Sequence, residues 1–509
     1  MNENPESLKT DVLIVGAGPA GLACAIQLAR KSAGKCQILV LEKSCRIGGH
    51  LLSGAVMRPE ALKALLTSDE YATLALGPTV QEESYHALTP NRSFQLPFVP
   101  TNMHAVGLPL VSASHLGSAL AHIASALGVD ILTSQTADAL VWENDRVAGV
   151  HCEGGPIHAK TTVLAEGPAG LLLHELLDRH PELRGANLQT HALGFKELIE
   201  IPPQPQAVGT ITHTFGFPLK WNVYGGGFIY HVDESHVALG LALGMDYQDP
   251  ATNPHELFRQ WKRHPLVQSH IAGGKAVSYG ARLIPEGGWH SLVGLHAPGA
   301  MIIGDSAGLV NAMELKGLHL AIESGMAAAE AILHERVLRL EDIPSVKGLR
   351  RTANYRAAFR AGLPIGMAAA GMAWLSNGFL PAGRIPHRDE RTCLRSIGAH
   401  RPLPVAPDGG PLDLGMDSDL FLAHLRVREG AGHIQIKDAK KCEECFALYA
   451  APCTRFCPAS VYAVAEAKRA IHARVENCLQ CRCCTLKCPF DNIHWETPCH
   501  GVGPDFLNL

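Results

Sequence analysis

Ten of the 15 cysteines in this 509-residue chain lie at or after position 442, and they form two runs with regular spacing. The first run is Cys442-x2-Cys445-x7-Cys453-x3-Cys457-Pro458, and the second is Cys478-x2-Cys481-x2-Cys484-x3-Cys488-Pro489. The second spacing, C-x2-C-x2-C-x3-C-P, is that of bacterial ferredoxins, whose thiolates hold iron–sulfur clusters. The two runs therefore predict a C-terminal domain that folds around clusters and moves single electrons.

The ligands of each cluster follow from the way such runs fold. In two-cluster ferredoxins the fourth cysteine of each run ligates the cluster of the other run. This crossing rule defines two ligand sets, which are named here after their first members. The Cys457 set comprises Cys457, Cys478, Cys481 and Cys484, and the Cys442 set comprises Cys442, Cys445, Cys453 and Cys488. Cys483 and Cys499 are left over and are predicted to be bystanders.

A zinc ribbon and a disulfide cluster are the alternative interpretations of these cysteines. Two interleaved runs that each end in Cys-Pro are unusual for zinc, and nothing in the sequence indicates an oxidising compartment. The longer spacing between Cys445 and Cys453 makes the Cys442 set the less regular of the two. Its cluster therefore depends more heavily on the crossing rule.

Length, charge and hydropathy narrow the remaining possibilities. A chain of 509 residues is long enough for two or three domains, and its formal net charge of −4 provides no electrostatic basis for binding nucleic acid. The N-terminus has no basic region followed by an apolar stretch and a cleavage site, so we expect no signal peptide. No apolar run reaches the roughly 20 residues that a spanning helix needs. We therefore expect the protein on the cytoplasmic side of the cell.

A glycine motif near the N-terminus predicts a dinucleotide site. The apolar segment 11–15 has the composition of a buried strand, and it leads into Gly16-x-Gly18-x-x-Gly21 and an Ala- and Leu-rich helix at 22–30. Gly16 permits the tight turn, Gly18 lets the backbone approach a pyrophosphate, and Gly21 lets helix and strand pack closely. The next strand, 37–41, ends at Glu42, which is placed to bind a ribose hydroxyl.

A distant strand and turn favour FAD over NAD. The apolar segment 300–303 precedes Gly304-Asp305-Ser-Ala-Gly308, and a similar strand and turn occurs at 163–167. An aspartate at such a strand end can hold the ribityl chain of a flavin, while the next helix N-terminus faces the pyrophosphate. The chain has no second G-x-G-x-x-G, so we expect electrons to arrive from another protein rather than from NADPH.

With these motifs in place, the chain resembles the electron-transfer flavoprotein–ubiquinone oxidoreductase family from about residue 10 to the C-terminus. The matching segments are 52–55, 224–231, 273–275, 279–282, 316–317 with His319, 457–462, 477–478 and 492–495. The resemblance implies FAD, a quinone pocket, monotopic membrane attachment and a [4Fe-4S] cluster on the Cys457 set. It also implies FAD contacts at Gly54 and Gly317, and backbone contacts of Gly273 and Gly274 with the quinone.

The chain departs from this family at Cys488, where the family has a non-ligand such as aspartate. Cys488 completes the Cys442 set, so the chain is also similar to the flavoprotein and two-cluster ferredoxin of nitrogen-fixation-type bifurcating complexes, here fused. Cys483 stands where the family often has threonine, and Asp305 stands where it often has cysteine. These exchanges predict cofactor potentials that differ from those of the family.

The segment Gly362–Leu380 predicts contact with a membrane surface. It is apolar but contains Pro364 and several glycines, which suit an interfacial helix better than a spanning one. Arginines flank it at 350, 351, 356 and 360 and at 384, 388, 391 and 395, as expected near anionic lipid headgroups. A buried helix under the FAD domain is the alternative interpretation.

The predicted fold is an α/β FAD-binding fold of the glutathione-reductase type with a β-rich quinone-binding insertion, followed by a ferredoxin-like α+β domain. The FAD domain is expected at 1–75, 105–190 and 290–400, the insertion at 76–104 and 191–289, a linker at 402–415, and the ferredoxin-like domain at 416–509. The predicted activity passes electrons from reduced electron-transfer flavoprotein, docked near the clusters, to ubiquinone or menaquinone at the cytoplasmic face of a bacterial inner membrane. The clusters act before FAD or in parallel with it.

Two other functions remain open on sequence alone. One is a geranylgeranyl-reductase-like enzyme, in which the same FAD fold reduces isoprenoid double bonds. The other is an electron-transfer subunit of a flavin-bifurcating complex, with no catalysis of its own.

Overall fold

The chain is built on two large sheets, followed by a C-terminal part with two small two-stranded sheets. The computed structural model describes residues 8–52, 55–97, 99, 101, 103–168, 170–397, 416–427, 432–465, 470–498, 501–506 and 509. The predicted FAD contact Gly54, the bystander Cys499 and the linker at 402–415 lie outside the described residues.

The strands, in chain order, are β1 (Leu8–Val15), β2 (Ile38–Leu41), β3 (Ala55–Val56), β4 (Glu82–Leu88), β5 (Ser93–Gln95), β6 (Leu110–Val111), β7 (Asp130–Leu132), β8 (Ala137–Glu143), β9 (Arg146–Cys152), β10 (Gly155–Leu164), β11 (His191–Glu200), β12 (Thr210–Gly216), β13 (Gly225–His231), β14 (His236–Gly244), β15 (Lys275–Pro285), β16 (His296–Ala297), β17 (Ala300–Ile302), β18 (Ile434–Ile436), β19 (Tyr462–Ala465), β20 (Ala470–Ala473) and β21 (Ile493–Trp495).

The α-helices are α1 (Pro19–Ser32), α2 (Glu60–Leu65), α3 (Ser68–Thr73), α4 (Ala113–Ala126), α5 (Leu171–Arg179), α6 (Pro254–Lys262), α7 (Pro265–Ile271), α8 (Leu318–Leu333), α9 (Val346–Arg351), α10 (Tyr355–Ala358), α11 (Leu363–Leu375), α12 (Met416–Phe421), α13 (Ala439–Tyr449), α14 (Cys453–Phe456) and α15 (Cys483–Lys487). The predicted strand at 11–15 and helix at 22–30 are present within β1 and α1, and the predicted strand at 300–303 corresponds to β17, which ends one residue earlier.

The first sheet carries the dinucleotide motif. Its strands run in the order β16-β17-β10-β1-β2-β7, with β8 and β9 attached beside β10. Strands β1, β2, β7, β10 and β17 are parallel, so their carboxyl ends meet at one edge. Helices α1 and α8 pack so closely at Gly325 that a Cβ added there would lie only 2.2 Å from the carbonyl oxygen of Ala20. This arrangement places Gly16 and Gly304 at the same sheet edge, where doubly wound sheets bind ligands.

The second sheet is mostly antiparallel and runs β15-β11-β14-β13-β12-β4-β5. Helix α6 packs on it through Phe258 and Trp261, both fully buried. The Trp261 indole donates a hydrogen bond to Thr214 Oγ1 at 2.9 Å, and a buried ion pair joins Lys262 to Glu197 at 2.7 Å. These polar contacts fix the helix on the sheet, because moving it away would leave buried polar and charged groups without their partners.

The C-terminal part is anchored to both sheets. Its fully buried Lys487 donates hydrogen bonds from Nζ to the carbonyl oxygens of Met245 and Tyr247 at 2.6 and 2.7 Å. The last residues reach the first sheet, where Asp505 pairs with Arg46 at 2.6 Å. The cysteine sets are therefore held against the body of the molecule rather than on a separate arm.

Candidate redox site

The glycine motif forms the tight turn that the sequence predicts. Gly16 has a φ of +108°, and a Cβ there would lie 2.3 Å from Ala165 O. A Cβ on Gly21 would lie 2.1 Å from Gly16 O, so this residue must be glycine for α1 to pack on β1. A Cβ added to Gly18 would have only Leu51 within 4 Å, and Gly18 lines a large cavity. The motif therefore presents bare backbone to the cavity at the start of α1, as a pyrophosphate requires.

Two acidic residues from separate strands reach the same cavity. Glu42 accepts hydrogen bonds from the backbone N–H groups of Ala17 and Ser44 at 3.0 and 2.9 Å, which fixes its carboxylate beside the glycine turn. Burial raises the pKa of Asp305 to about 6, and the positive charge of Arg282 opposes the rise. Gly317, at the start of α8, also lines the cavity. The predicted cofactor residues are thus brought together, although Gly304 and Gly308 shape the turn and do not line the cavity.

Arg282 is a cavity residue whose role the sequence did not indicate beyond its place in a family motif. It comes from β15 of the second sheet, and its charged neighbours are Glu42, Cys481 and Asp305. Its Nη1 is buried and makes no hydrogen bond to any described residue. A buried, unsatisfied guanidinium donor is costly unless an acceptor occupies the cavity. The glycine turn and this donor together fit a phosphate-bearing cofactor such as FAD.

One cavity of about 820 Å³ connects these residues to the second sheet and to helix α11. On the sheet side it is lined by aromatic and polar residues, among them Tyr85, Lys196, His213 and Phe228. The Tyr85 and His213 rings stack with centroids 4.8 Å apart. Burial lowers the pKa of Lys196 to about 7. The cavity thus combines a polar end for a dinucleotide with an aromatic wall for a flat ring.

The structure separates the two glycine-rich segments of the second sheet. Gly273 and Gly274 lie in the turn between α7 and β15, against Pro202 and Ile199, and do not line the cavity. The glycines at 225–227 in β13 do line it. Three consecutive glycines inside a strand signal a close backbone approach, and that signal could have drawn attention to β13.

Helix α11 is apolar on its exposed side. Its buried positions are the small residues Gly366, Ala369, Ala370 and Ala373. Larger side chains face outward, and Leu375 and nearby Phe379 are 79% and 81% exposed. Met367, Trp374 and Leu375 are exposed and also line the cavity, so the cavity opens at this apolar surface. No helix in the described part of the chain is long and apolar enough to cross a membrane.

One of the predicted flanking cations is not at this surface. Arg356 is buried, where it pairs with Asp246 at 2.6 Å and with Glu286 at 3.1 Å and lies over the Tyr224 ring. It fixes α10 to the second sheet, so assigning it to the membrane flank was wrong. Of the other seven, Arg350, Arg351, Arg360, Arg384 and Arg395 are exposed, whereas Arg388 and Arg391 are half-buried. Arg391 pairs with Asp491 of the C-terminal part at 3.2 Å.

The crossing rule groups the cysteines as the structure does. Within the Cys457 set, Cys481 has the other three members as electrostatic neighbours. Within the Cys442 set, Cys453 likewise neighbours the other three. Burial raises the pKa of Cys445 and of Cys457 to about 12. Metal binding at such thiols would have to displace their protons. Each set groups four thiols, which is the number of ligands that a [4Fe-4S] cluster takes.

The geometry of the sets differs from that of a single-ion site or a disulfide. Cysteines that the structure describes are all free thiols, including Cys483, whose sulfur contacts the carbonyl oxygen of Phe456 at 3.6 Å. Thiolates around one zinc ion lie within about 4 Å of each other, because each Zn–S distance is about 2.3 Å. No three His, Cys, Asp or Glu side chains in the described ranges converge closely enough to hold one metal ion.

The Cys457 set adjoins the cavity. Arg282 neighbours Cys481, and Arg482 stands between Cys484 and the cavity residue Glu166. Trp495 comes from the same C-terminal part and lines the cavity directly. The first sheet also contributes, since Lys43 Nζ donates to Gln480 Oε1 at 3.1 Å. The Cys457 set therefore lies next to cavity residues such as Arg282, although none of its four cysteines lines the cavity itself.

The Cys442 set lies around a second, smaller cavity with apolar walls that include Ile436, Phe456 and Phe490. Asn492 contacts two of its sulfurs. Its backbone N–H donates to Cys488 Sγ at 3.3 Å, and its Nδ2 donates to Cys442 Sγ at 3.2 Å. The same side chain is held by Asp438, whose N–H donates to Asn492 Oδ1 at 2.9 Å.

Comparison with solved structures establishes the class of fold. The geranylgeranyl bacteriochlorophyll reductase-like protein of Thermoplasma acidophilum is 19% identical, with a TM-score of 0.51 over 73% of this chain and 87% of that one. The myxobacterial chondrochloren halogenase CndH, an FAD-dependent halogenase, is 17% identical, with a TM-score of 0.53 over 73% and 91%. The fold and the site define a Rossmann-like flavoprotein that carries a C-terminal iron–sulfur domain.

Sequence comparison narrows this class. A model described as "ETF-QO, ubiquinone-binding" matches residues 191–284, one described as "Electron transfer flavoprotein-ubiquinone oxidoreductase, 4Fe-4S" matches 417–507, and an NAD(P)-binding Rossmann-like model matches 14–67. The mitochondrial electron transfer flavoprotein-ubiquinone oxidoreductase of Arabidopsis thaliana is 34% identical over 98% of this chain and 84% of the relative. That of Pseudomonas aeruginosa is 32% identical over 99% and 100%. The chain belongs to the electron transfer flavoprotein–ubiquinone oxidoreductase family.

Proposed function

We propose that this protein oxidises reduced electron-transfer flavoprotein and reduces membrane quinone, using FAD and two [4Fe-4S] clusters. The observation that carries the proposal is the cavity that joins the glycine turn to the exposed apolar helix α11 and whose residue Arg282 neighbours Cys481 of the Cys457 set. A two-electron carrier and a lipid-soluble acceptor would therefore share one continuous space, with a one-electron carrier beside it.

The residues around the glycine turn fit FAD. Gly18 provides free backbone, Glu42 and Asp305 provide acceptors for sugar and ribityl hydroxyls, and Arg282 provides a positive charge for the cofactor's anionic groups. Bound FAD exchanges electrons singly or in pairs, which is the chemistry needed between clusters and a quinone. The protein residues position the cofactor and exclude water.

The quinone is proposed to enter at α11 and to reach the aromatic wall of the cavity. Met367 and Trp374 line the entrance, and the glycines at 225–227 let a flat ring approach the strand β13. Lys196 and His213 supply polar groups beside that ring. A backbone contact with Gly273 and Gly274 stays a prediction, which photo-crosslinking with an azidoquinone can test.

The number of clusters rests on the cysteine geometry. Both sets contain four grouped thiols, and the Cys442 set has its own cavity and the hydrogen bonds from Asn492. Directed N–H donors to thiolates are a feature of tuned metal sites, in which they set ligand charge. We therefore propose a [4Fe-4S] cluster on each set.

The two sheets support a division of the chain like that predicted. Strands β4 and β5 join β11–β15 in the second sheet, which supports a discontinuous substrate domain at 76–104 and 191–289. The FAD domain then comprises 1–75, 105–190 and 290–400, and the iron–sulfur domain 416–509. The exposed apolar face of α11 supports peripheral attachment to a membrane, which we propose is the cytoplasmic face of a bacterial inner membrane.

Purified holoenzyme in phospholipid vesicles tests this function. With reduced electron-transfer flavoprotein as donor and ubiquinone or menaquinone in the lipid, we expect quinol to form as the donor is oxidised. Reduction of isoprenoid double bonds without quinol formation would overturn the proposal in favour of a geranylgeranyl-reductase-like enzyme. Activity only within a stable complex would favour a bifurcating subunit.

A further inference from the structure

We propose that electrons enter this protein at the Cys442 set and pass in series through the Cys457 set to the FAD site. The inference rests on the proposed function, because it takes reduced electron-transfer flavoprotein as the donor. It adds the order in which the cofactor sites receive the electron and the face of the protein at which that donor must dock.

Two one-turn helices join the sets. Cys453 and Cys457 lie four residues apart at the two ends of α14, and Cys484 and Cys488 lie four residues apart along α15. Each short helix thus carries one ligand of each set. Four residues of α-helix rise about 6 Å, so the two clusters share neighbouring ligands across about one helical turn. Cys457 is accordingly among the charged neighbours of Cys453. An electron can therefore step directly from one site to the other.

Only one of the sets adjoins the cavity. Arg282 connects Cys481 to the FAD residues, and Arg482 connects Cys484 to Glu166. In the described chain no cysteine of either set lines the large cavity, but the cavity residue Arg282 has Cys481 of the Cys457 set among its charged neighbours and no member of the Cys442 set. An electron delivered to the Cys442 set therefore reaches the FAD site through the Cys457 set, which stands between them.

The Cys442 set lies under a solvent-facing helix. Only Cys445 of α13 is buried, while the other side of the helix exposes charged residues and Leu448. The exposed charges are Lys440, Lys441, Glu443 and Glu444. Cys442 itself is half-buried. A water-soluble protein seated on α13 would thus be separated from this set by the thickness of one helix.

Asn492 shows how the entry site is tuned. Its two N–H donors reach Cys488 and Cys442, and Asp438 holds the side chain in place. Hydrogen bonds to cluster thiolates stabilise the more negative, reduced state and raise the reduction potential. Asn492 is therefore a positioning residue that makes the Cys442 site a better electron acceptor.

The electron balance is simple. Each reduced electron-transfer flavoprotein that docks gives up one electron, which moves from the Cys442 site to the Cys457 site and on to the FAD site. Two such electrons, with two protons from water, convert one quinone to one quinol. No bond within the protein is made or broken.

Freeze-quench EPR of the holoenzyme mixed with reduced electron-transfer flavoprotein tests the order. We expect a signal from the Cys442 site before the flavin absorbance changes. Cys442→Ser should lose that signal, keep the Cys457-site signal and the FAD, and slow flavin reduction by the donor about tenfold or more. Reduction of its flavin by dithionite should proceed at the wild-type rate. Cys36→Ser is the matched control, since Cys36 has Asp11 and Lys160 as charged neighbours and contacts neither set.

Asn492→Leu provides a second test that leaves all eight predicted ligands in place. It should retain both EPR signals but lose roughly tenfold in the reduction equilibrium of the Cys442 site, about 59 mV for one electron. Flavin reduction by the donor at the wild-type rate in Cys442→Ser, or an unchanged Cys442-site potential in Asn492→Leu, would overturn the inference. A wild-type protein that the donor does not reduce at all would instead overturn the proposed function.

Discussion

The two ends of the proposed electron path differ in the surface they present. At the cluster end, α13 exposes lysines and glutamates over the Cys442 set. At the cavity end, α11 exposes Leu375 and nearby Phe379 and buries only glycine and alanine. Both surfaces lie next to a candidate redox centre, yet one suits water and the other suits hydrocarbon. The difference is the one expected if, as proposed, the donor is a soluble protein and the acceptor is reached from a lipid surface.

The largest effect is expected where the two ends are connected. Cys481→Ser should remove the cluster of the Cys457 set and reduce quinol formation by roughly a hundredfold or more. The reason is that the described chain offers no other predicted cofactor site between α14 and the cavity. The donor should still reduce the Cys442 site, which EPR can show in the same sample. Quinol formation at the normal rate in a variant that has lost this cluster would contradict the connection.

Membrane binding at the apolar end can be weakened by substitutions that leave both cysteine sets in place. Each exposed apolar side chain that enters a membrane contributes roughly 1.5–3 kcal/mol, so Leu375→Asp and Phe379→Asp should each weaken vesicle binding about tenfold or more. Vesicle sedimentation measures this directly. Leu448→Asp, which alters an exposed leucine at the cluster end, is the matched control and should bind as the wild type does. Equal losses from all three substitutions would erase the contrast between the ends.

The sequence predicted most of the dinucleotide site but not the cavity that continues from it. Gly18, Glu42 and Asp305 converge because short-range rules for strand, turn and helix determine their positions. Which glycines of the second sheet face the cavity depends on how β13 and β15 are ordered and registered across long sequence separations, and single-sequence patterns do not specify this. For the same reason Arg356 was assigned to the surface, although Asp246 and Glu286 bury it.

The cysteine grouping rests on a different kind of rule. The crossing rule encodes a long-range contact in local spacing, so the spacing alone is enough to assign Cys457 and Cys488 to opposite sets. Asn492 was recognised only as part of a matching segment. Its contact with Cys488 is local, but its contact with Cys442 joins segments 50 residues apart, which its sequence neighbours do not reveal.

A smaller effect is expected at the cavity wall, where buried Lys196 should make the stability of the protein depend on pH. In the folded protein the pKa of Lys196 is about 7 instead of 10.5, so between these values the unfolded chain binds a proton that the folded chain does not. Stability should therefore rise with pH over this range, by up to about 1.4 kcal/mol per unit, and fall toward pH 7. Lys196→Met removes the term, so its stability advantage should be largest near pH 7 and shrink by pH 9.

Thermal or chemical unfolding of Lys196→Met and wild type at several pH values measures this difference. Lys9→Met, at an exposed lysine on β1, is the control and should parallel the wild type. Parallel curves for Lys196→Met and wild type would show that burial of this lysine does not shift its titration.

The central claim is that the soluble-facing end contains a cluster of its own, and iron content tests it most directly. Iron quantification together with EPR of the reduced, fully reconstituted protein should give about eight irons per chain and two interacting signals. A content of about four irons per chain, with one isolated signal that Cys442→Ser leaves unchanged, would contradict the account.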